Sequence, residues 1–253
     1  MEDFETLLKG SAESHGHLCA GQVVGVRLAI LGCRLIGLND PKAPDQIKKI
    51  IIYVEIDRCA TDAIAFVTGV KLGRRSLKFM DYGIMAATFV NLETGKAYRV
   101  VSTEESRDLC TSYAPEITGK GQQQLEAYKR MPDSVLFRVQ EVRVPIGESD
   151  LPGPTRHKAI CARCGQVVRD RREVIIKGVP VCQPCARGVY FDSAREITWP
   201  GMNWAPTSRE IQDVEESVSN PAGYPRRLSE NRLLLRSAAN SDGCVVKPKT
   251  SST

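Results

Sequence analysis

The chain has 253 residues, 42% apolar and 26% charged, with a net charge of +5. That is a globular composition, which excludes a fibrous or largely disordered chain and leaves room for one large domain or for one mid-sized domain plus a small module. The longest apolar stretch, Leu18 to Leu38, is broken by Arg27, Arg34 and four glycines, so it is no membrane span, which needs about 20 nearly uncharged residues. The acidic start, MEDFETLLKG, is unlike the basic and then apolar start of a secretory signal, and the expected location is cytoplasmic.

Residues 1–150 are expected to form one α+β domain. Phe4, Leu7 and Leu8 share a face of a short first helix, and Val23 to Leu38 is apolar nearly all round, as in a buried helix. KIIIYVEID, Lys49 to Asp57, is rich in β-branched residues and reads as a central strand, followed by a helix from Cys59 to Thr68 that stops at Gly69. Leu77 to Met80, Ala87 to Leu92 and Ala97 to Ser102 read as strands, the last two joined as a hairpin around Thr94-Gly95. Helical stretches at Glu104 to Cys110 and Gln122 to Met131 lead to a final strand, Ser134 to Val144. Strands and helices are mixed without strict alternation, which predicts a mixed sheet flanked by helices. Pro145, Pro152 and Pro154 with Gly147 and Gly153 mark a linker.

Two places in this domain carry chemistry. In SHGHLCAG, His15, His17 and Cys19 stand at alternate positions. Residues two apart on a helix point about 200° from each other, so these three converge only where the backbone is extended or turning, at the entrance to the long helix. Cys19 then lies near a helix N-terminus, where partial positive charge favours a thiolate. The alternative is two solvated loop histidines and a packed thiol. In IDRCATDA, Cys59 passes from the apolar strand into a helix, with Asp62 on the same helix face. A strand end meeting a helix start is a common place for ligand groups, although a thiol there is more often packing.

Residues 156–192 are expected to form a four-cysteine zinc finger. Cys161, Cys164, Cys182 and Cys185 make two Cys-Xaa-Xaa-Cys pairs 17 residues apart, the spacing of two knuckles that close a tetrahedral thiolate site. The alternative is a pair of disulfides or unrelated buried thiols, which a cytosolic setting disfavours. Glu173 to Ile176 and Val179 to Val181 read as a hairpin across Lys177-Gly178, and Ala186 to Phe191 reads as a short helix. Four thiolates leave no open position, so this zinc is structural. Residues 151–195 hold nine Lys/Arg against three Asp/Glu. That excess, trimmed by four thiolates and one zinc ion to about +4, is too small and too poor in aromatics to favour nucleic acid. Residues 196–253 are expected to be a largely disordered tail.

Taken together, HGHLCAG at 15–21, DRCATDA at 57–63, TGVKLGRRSLKFMDYG at 68–83 and the four-cysteine module resemble the E-subunit family of formylmethanofuran dehydrogenase, in order, over about residues 5 to 192. The family pattern has proline after the first cysteine, where this chain has Ala20. The resemblance implies a mixed, about five-stranded sheet with flanking helices, a C-terminal zinc finger, dimers, and a cleft that holds a second metal ion. Carried over, it implies His17, Cys19 and Cys59 as ligands of that second ion, with His15, Asp62 and Asp81 nearby. Cys19, Cys59, His15 and Asp62 are then the candidate catalytic groups. The function implied is a metal-binding accessory protein or subunit linked to molybdenum or tungsten one-carbon redox metabolism. The alternatives are a free-standing metal- or thiol-dependent enzyme, and a zinc-finger docking or nucleic-acid-binding module. Cys33 and Cys110 fall in helical patterns and read as core.

Overall fold

The structure, a computed structural model, describes residues 1–192 and 194; the tail expected over 196–253 lies outside them. The chain divides into two compact units, Met1–Pro154 and a second beginning at Thr155. In the first unit, helix α1 (Phe4–His15) is capped by Asp3, whose carboxylate accepts from the Thr6 N–H. Helix α2 (Ala20–Leu35) leads to strand β1 (Ile50–Val54), helix α3 (Cys59–Thr68) and strand β2 (Leu77–Phe79). Strands β3 (Ala86–Asn91) and β4 (Ala97–Ser102) form a hairpin, followed by short helices α4 (Glu105–Asp108) and α5 (Cys110–Tyr113), helix α6 (Lys120–Arg130), helix α7 (Asp133–Leu136) and strand β5 (Phe137–Glu141).

The five strands make one mixed sheet in the order β2-β1-β3-β4-β5. Only β1 and β2 run parallel, connected through α3; the other neighbours are antiparallel. The α+β class and the mixed sheet expected from the sequence, with the five strands that the resemblance implies, are what the chain adopts. Ile50, Ile52 and Val54 alternate along β1 and lie opposite Asn91, Phe89 and Ala87, so one face of the sheet is apolar. That face shares a core with Leu7 and Leu8 of α1, with Val23, Val26 and Leu28 of α2, and with Ile64 and Val67 of α3. Among the described residues, no helix is long and apolar enough to cross a membrane.

In the first unit the departures from expectation lie around α4–α5 and before β5. The stretch Glu104 to Cys110 is two short helices, with Leu109 between them and the second running on to Tyr113. The strand expected from Ser134 begins only at Phe137, because Pro132 and Asp133 open one helical turn first. Arg27 of α2 explains the turn's position: it donates to the carbonyls of Tyr128 (2.6 Å) and Met131 (2.5 Å) and to the Asp133 carboxylate (2.7 Å). It thereby satisfies carbonyls at the end of α6 that have no partner within the helix.

The contact that sets the geometry of the unit is α2 against α3. A Cβ on Gly25 would stand 2.6 Å from the Ala60 carbonyl oxygen and 2.7 Å from the Ala63 Cβ, and one on Gly21 would stand 3.0 Å from the Cys59 Cβ. At Gly25 glycine is required because the Ala60 backbone, which cannot swing aside, occupies the space.

Gly25→Ala therefore tests competing effects. Helix propensity favours alanine by about 1 kcal/mol, while overpacking against fixed atoms typically costs about 1–3 kcal/mol, occasionally more. Urea denaturation should show net destabilisation, whereas Gly121→Ala in α6, which meets nothing within 4 Å, should be neutral or stabilising.

Candidate metal centres

In the second unit, β6 (Lys158–Ile160) and β7 (Val167–Arg169) form one hairpin and β8 (Val174–Ile176) and β9 (Val179–Val181) another, followed by α8 (Gln183–Arg187). The β6–β7 hairpin adds to the one hairpin expected from the sequence, and α8 spans Gln183–Arg187 where a helix over Ala186 to Phe191 was expected. Each pair of cysteines sits at a turn. The Gly165 N–H returns to the Cys161 carbonyl at 2.9 Å, and Cys182 is the N-cap of α8, its sulfur accepting from the Cys185 N–H at 3.5 Å. The Ala162 N–H donates to the Pro180 carbonyl at 2.9 Å and ties the first knuckle to β9.

The four sulfurs lie within 4.8 Å of one another, with Cys164 and Cys182 at 3.6 Å. A tetrahedral ion with metal–sulfur bonds of about 2.3 Å spaces its sulfurs about 3.8 Å apart, so the cluster fits one ion. Without a cation the protons divide unevenly. Burial raises the Cys161 thiol, but the backbone N–H groups of Cys182, Cys164 and Arg163 outweigh it and bring the value down to about 6. Burial and the three neighbouring sulfurs push Cys185 up to about 12. Four thiolates can coexist only when a cation offsets their repulsion. His157 hydrogen-bonds Glu173 at 2.9 Å and stands outside the cluster.

In the first unit, His15 closes α1, and Gly16, in the left-handed region at φ 96°, turns the chain back. The backbone is extended at Cys19, the N-cap of α2. This turn is what lets alternate residues converge: His15, His17 and Cys19 each offer a donor atom within 4.8 Å of the others, and the two imidazole rings are 4.7 Å apart. Cys59, first residue of α3, is not a member of that set, but its thiol interacts with that of Cys19. Asp62 lies 2.9 Å from His15 Nδ1. His15 Nε2 is buried with no hydrogen-bond partner, so a group able to accept its lone pair fits there. Asp81 is exposed in the β2–β3 loop and belongs neither to this set nor to the cleft described below.

The thiolate expectation divides. Cys19 is at a helix start, as the motif implied. Burial first, then the Cys19 thiol, raise Cys59 above the ordinary thiol range, and the local backbone N–H offsets only part of this. Cys33 is pushed to about 12 by burial and Cys110 is raised by burial, which suits the core roles read from their helical positions.

Two residues went unremarked in the sequence. Gln22, fully buried on α2, donates to the Cys59 carbonyl at 2.7 Å and is hydrogen-bonded to the Ser11 hydroxyl of α1. The available signal was one amide inside an apolar helix, a group that needs partners wherever it is buried.

A cleft of about 470 Å³ opens beside the set, lined by His15, Cys59, Asp57, Asp62, Leu72 and Phe79 among others. It lies at the carboxyl ends of the parallel strands β1 and β2, where Val54 pairs with Phe79, and at the start of α3. Ligands of α/β units commonly bind at such strand ends.

A model of the FmdE family, described as the molybdenum formylmethanofuran dehydrogenase operon, matches residues 14–142, about half of the chain. The chain belongs to the FmdE family. The match contains His15, His17, Cys19, Cys59 and Asp62, while the four-cysteine unit lies beyond it. A curated relative from Archaeoglobus fulgidus, a probable S-adenosyl-L-methionine-binding protein, is 32% identical over 115 residues, covering 45% of this chain. The chain spans only 31% of that relative's length. A solved structure of a tungsten formylmethanofuran dehydrogenase FmdE-like protein from Syntrophus aciditrophicus is 15% identical, with a TM-score of 0.48, covering 75% of this chain and 95% of that one.

Among its described residues the second unit has a buried core of only Cys161, Val181 and Cys182, far too little to offset the ordering of that part of the backbone. Chelation should unfold the unit from Thr155 and leave the sheet of Met1–Pro154 folded. Circular dichroism with limited proteolysis reads the outcome as early cleavage confined to the second unit.

Proposed function

We propose that this FmdE-family chain is a metal-binding accessory protein or subunit of molybdenum- or tungsten-linked one-carbon redox metabolism. In this reading it is a cytoplasmic homodimer that carries a structural zinc at Cys161, Cys164, Cys182 and Cys185. A second metal ion is held in the first unit by His15, His17 and Cys19, with Cys59 alongside. Two observations carry the reading together: two imidazoles and a thiol offer donor atoms within 4.8 Å of one another, and one nitrogen of His15 is buried without a partner. The donor set differs in one member from that implied by the resemblance, because His15 enters and Cys59 stands beside it. Nitrogen and sulfur donors together suit a borderline or soft divalent ion, and three protein ligands leave a position open. The link to molybdenum or tungsten chemistry is supported by the family's description alone.

Metal analysis separates the two centres. The intact chain should carry about two ions, Cys161→Ser about one, and Cys161→Ser combined with His17→Ala close to none. Co-expression with formylmethanofuran dehydrogenase subunits tests the partner role, and a chain that always elutes apart from them overturns it.

The cleft favours a second reading, a small-molecule site next to the metal set. Leu72 and Phe79 are exposed apolar side chains on its wall, and Asp57, Arg58 and Asp62 bring opposite charges to it. S-adenosyl-L-methionine, the ligand in the archaeal relative's name, combines a flat base, hydroxyl groups and a zwitterionic end that match these walls. Calorimetric titration should give saturable binding that Phe79→Ala weakens about tenfold, for a loss of about 1.4 kcal/mol. Absence of binding to the intact chain overturns this second reading and leaves the metal reading standing.

A further inference from the structure

We infer that Asp62 is the positioning residue of the N-terminal donor set, holding His15 so that Nε2 is the nitrogen left to bind a metal ion. The inference rests on the metal reading of His15, His17 and Cys19 proposed above, and it assigns a role to a residue outside that set. His15 ends α1, while Asp62 stands on α3, three residues after Cys59. Asp62 Oδ2 and His15 Nδ1 are 2.9 Å apart. An ionised carboxylate only accepts hydrogen bonds, so Nδ1 carries the hydrogen and donates it, and the lone pair of the neutral ring is then on Nε2.

The two side chains divide between water and interior. The Asp62 side chain is 66% exposed and that of His15 only 15%. A simple surface ion pair would leave the second ring nitrogen in water, whereas here Nε2 is buried and unpartnered. His17 packs against the same ring at 4.7 Å, so the imidazole has little freedom to flip. Carboxylate–histidine–metal arrangements use this division of labour, in which the outer carboxylate fixes the tautomer and ring orientation, and removing it typically weakens metal binding about 10–100-fold. Asp62 also lies in the first turn of α3, where negative charge favours the helix. A purely helical role would act on stability, not on metal affinity.

Cobalt(II) titration of the full-length chain against a competing chelator distinguishes these roles, because thiolate-to-cobalt absorption differs between a four-sulfur site and a mixed nitrogen–sulfur site. Asp62→Ala should weaken the mixed site about 10–100-fold and leave the four-cysteine site unchanged. Asp62→Asn, whose side-chain carbonyl can still accept from Nδ1, should restore much of the affinity. Metal-free melting of the first unit should shift alike and only slightly in both variants, since both remove the charge from the first turn of α3. Wild-type affinity in Asp62→Ala overturns the positioning role while the metal reading stands. Loss of affinity accompanied by an equal loss of metal-free stability also overturns it, and a wild-type chain that loads cobalt only at the four cysteines overturns both.

Discussion

Where α2 crosses α3, backbone meets backbone: the absence of a side chain at Gly25 admits the Ala60 carbonyl, and Gly21 admits the first turn of α3 at Cys59. This approach draws the beginnings of two helices to one place. Cys19, at the start of one, and Cys59, at the start of the other, become neighbours although 40 residues separate them. A methyl group at Gly25 would force the helices to separate or slide, and one at Gly21 would crowd the Cys59 side chain. The donor set and the cleft wall would then no longer adjoin.

Polar anchors hold this arrangement inside an otherwise apolar core. Gln22 links α1, through Ser11, to the first carbonyl of α3, while Arg27 ties α2 to the end of α6. At the carboxyl end of β1, the buried Glu55 takes both Nε and Nη2 of Arg99 at 2.7 Å. That pair closes the strand immediately before the Asp57–Cys59 turn. Buried polar groups of this kind add specificity more than stability, since each must find its partner in one arrangement only.

Electrostatically the two centres differ in degree. In the four-cysteine unit burial and the crowded sulfurs raise Cys185 to about 12 while backbone N–H groups lower Cys161 to about 6, a conflict that a divalent cation resolves. In the first unit, neither Cys19 nor Arg58 makes a side-chain cap at its helix, so N–H groups at both helix starts are left without that partner. These favour negative charge, yet burial still raises Cys59.

Much of this was legible in the residues themselves. β-branched alternation marked β1, the helix over Cys59–Thr68 has the bounds its pattern and Gly69 suggested, and two Cys-Xaa-Xaa-Cys pairs announced a four-sulfur cluster because a knuckle is a local structure. The alternate spacing of His15, His17 and Cys19 required a turn, and Gly16 makes it. The pairing of His15 with Asp62, the exclusion of Cys59 from the compact donor set, the anchoring by Gln22, and the helical turn before β5 were decided only by tertiary structure. Each depends on how closely separate helices approach and which way their side chains then point. That distance is fixed by packing between residues far apart in the chain, and local pattern carries no record of it.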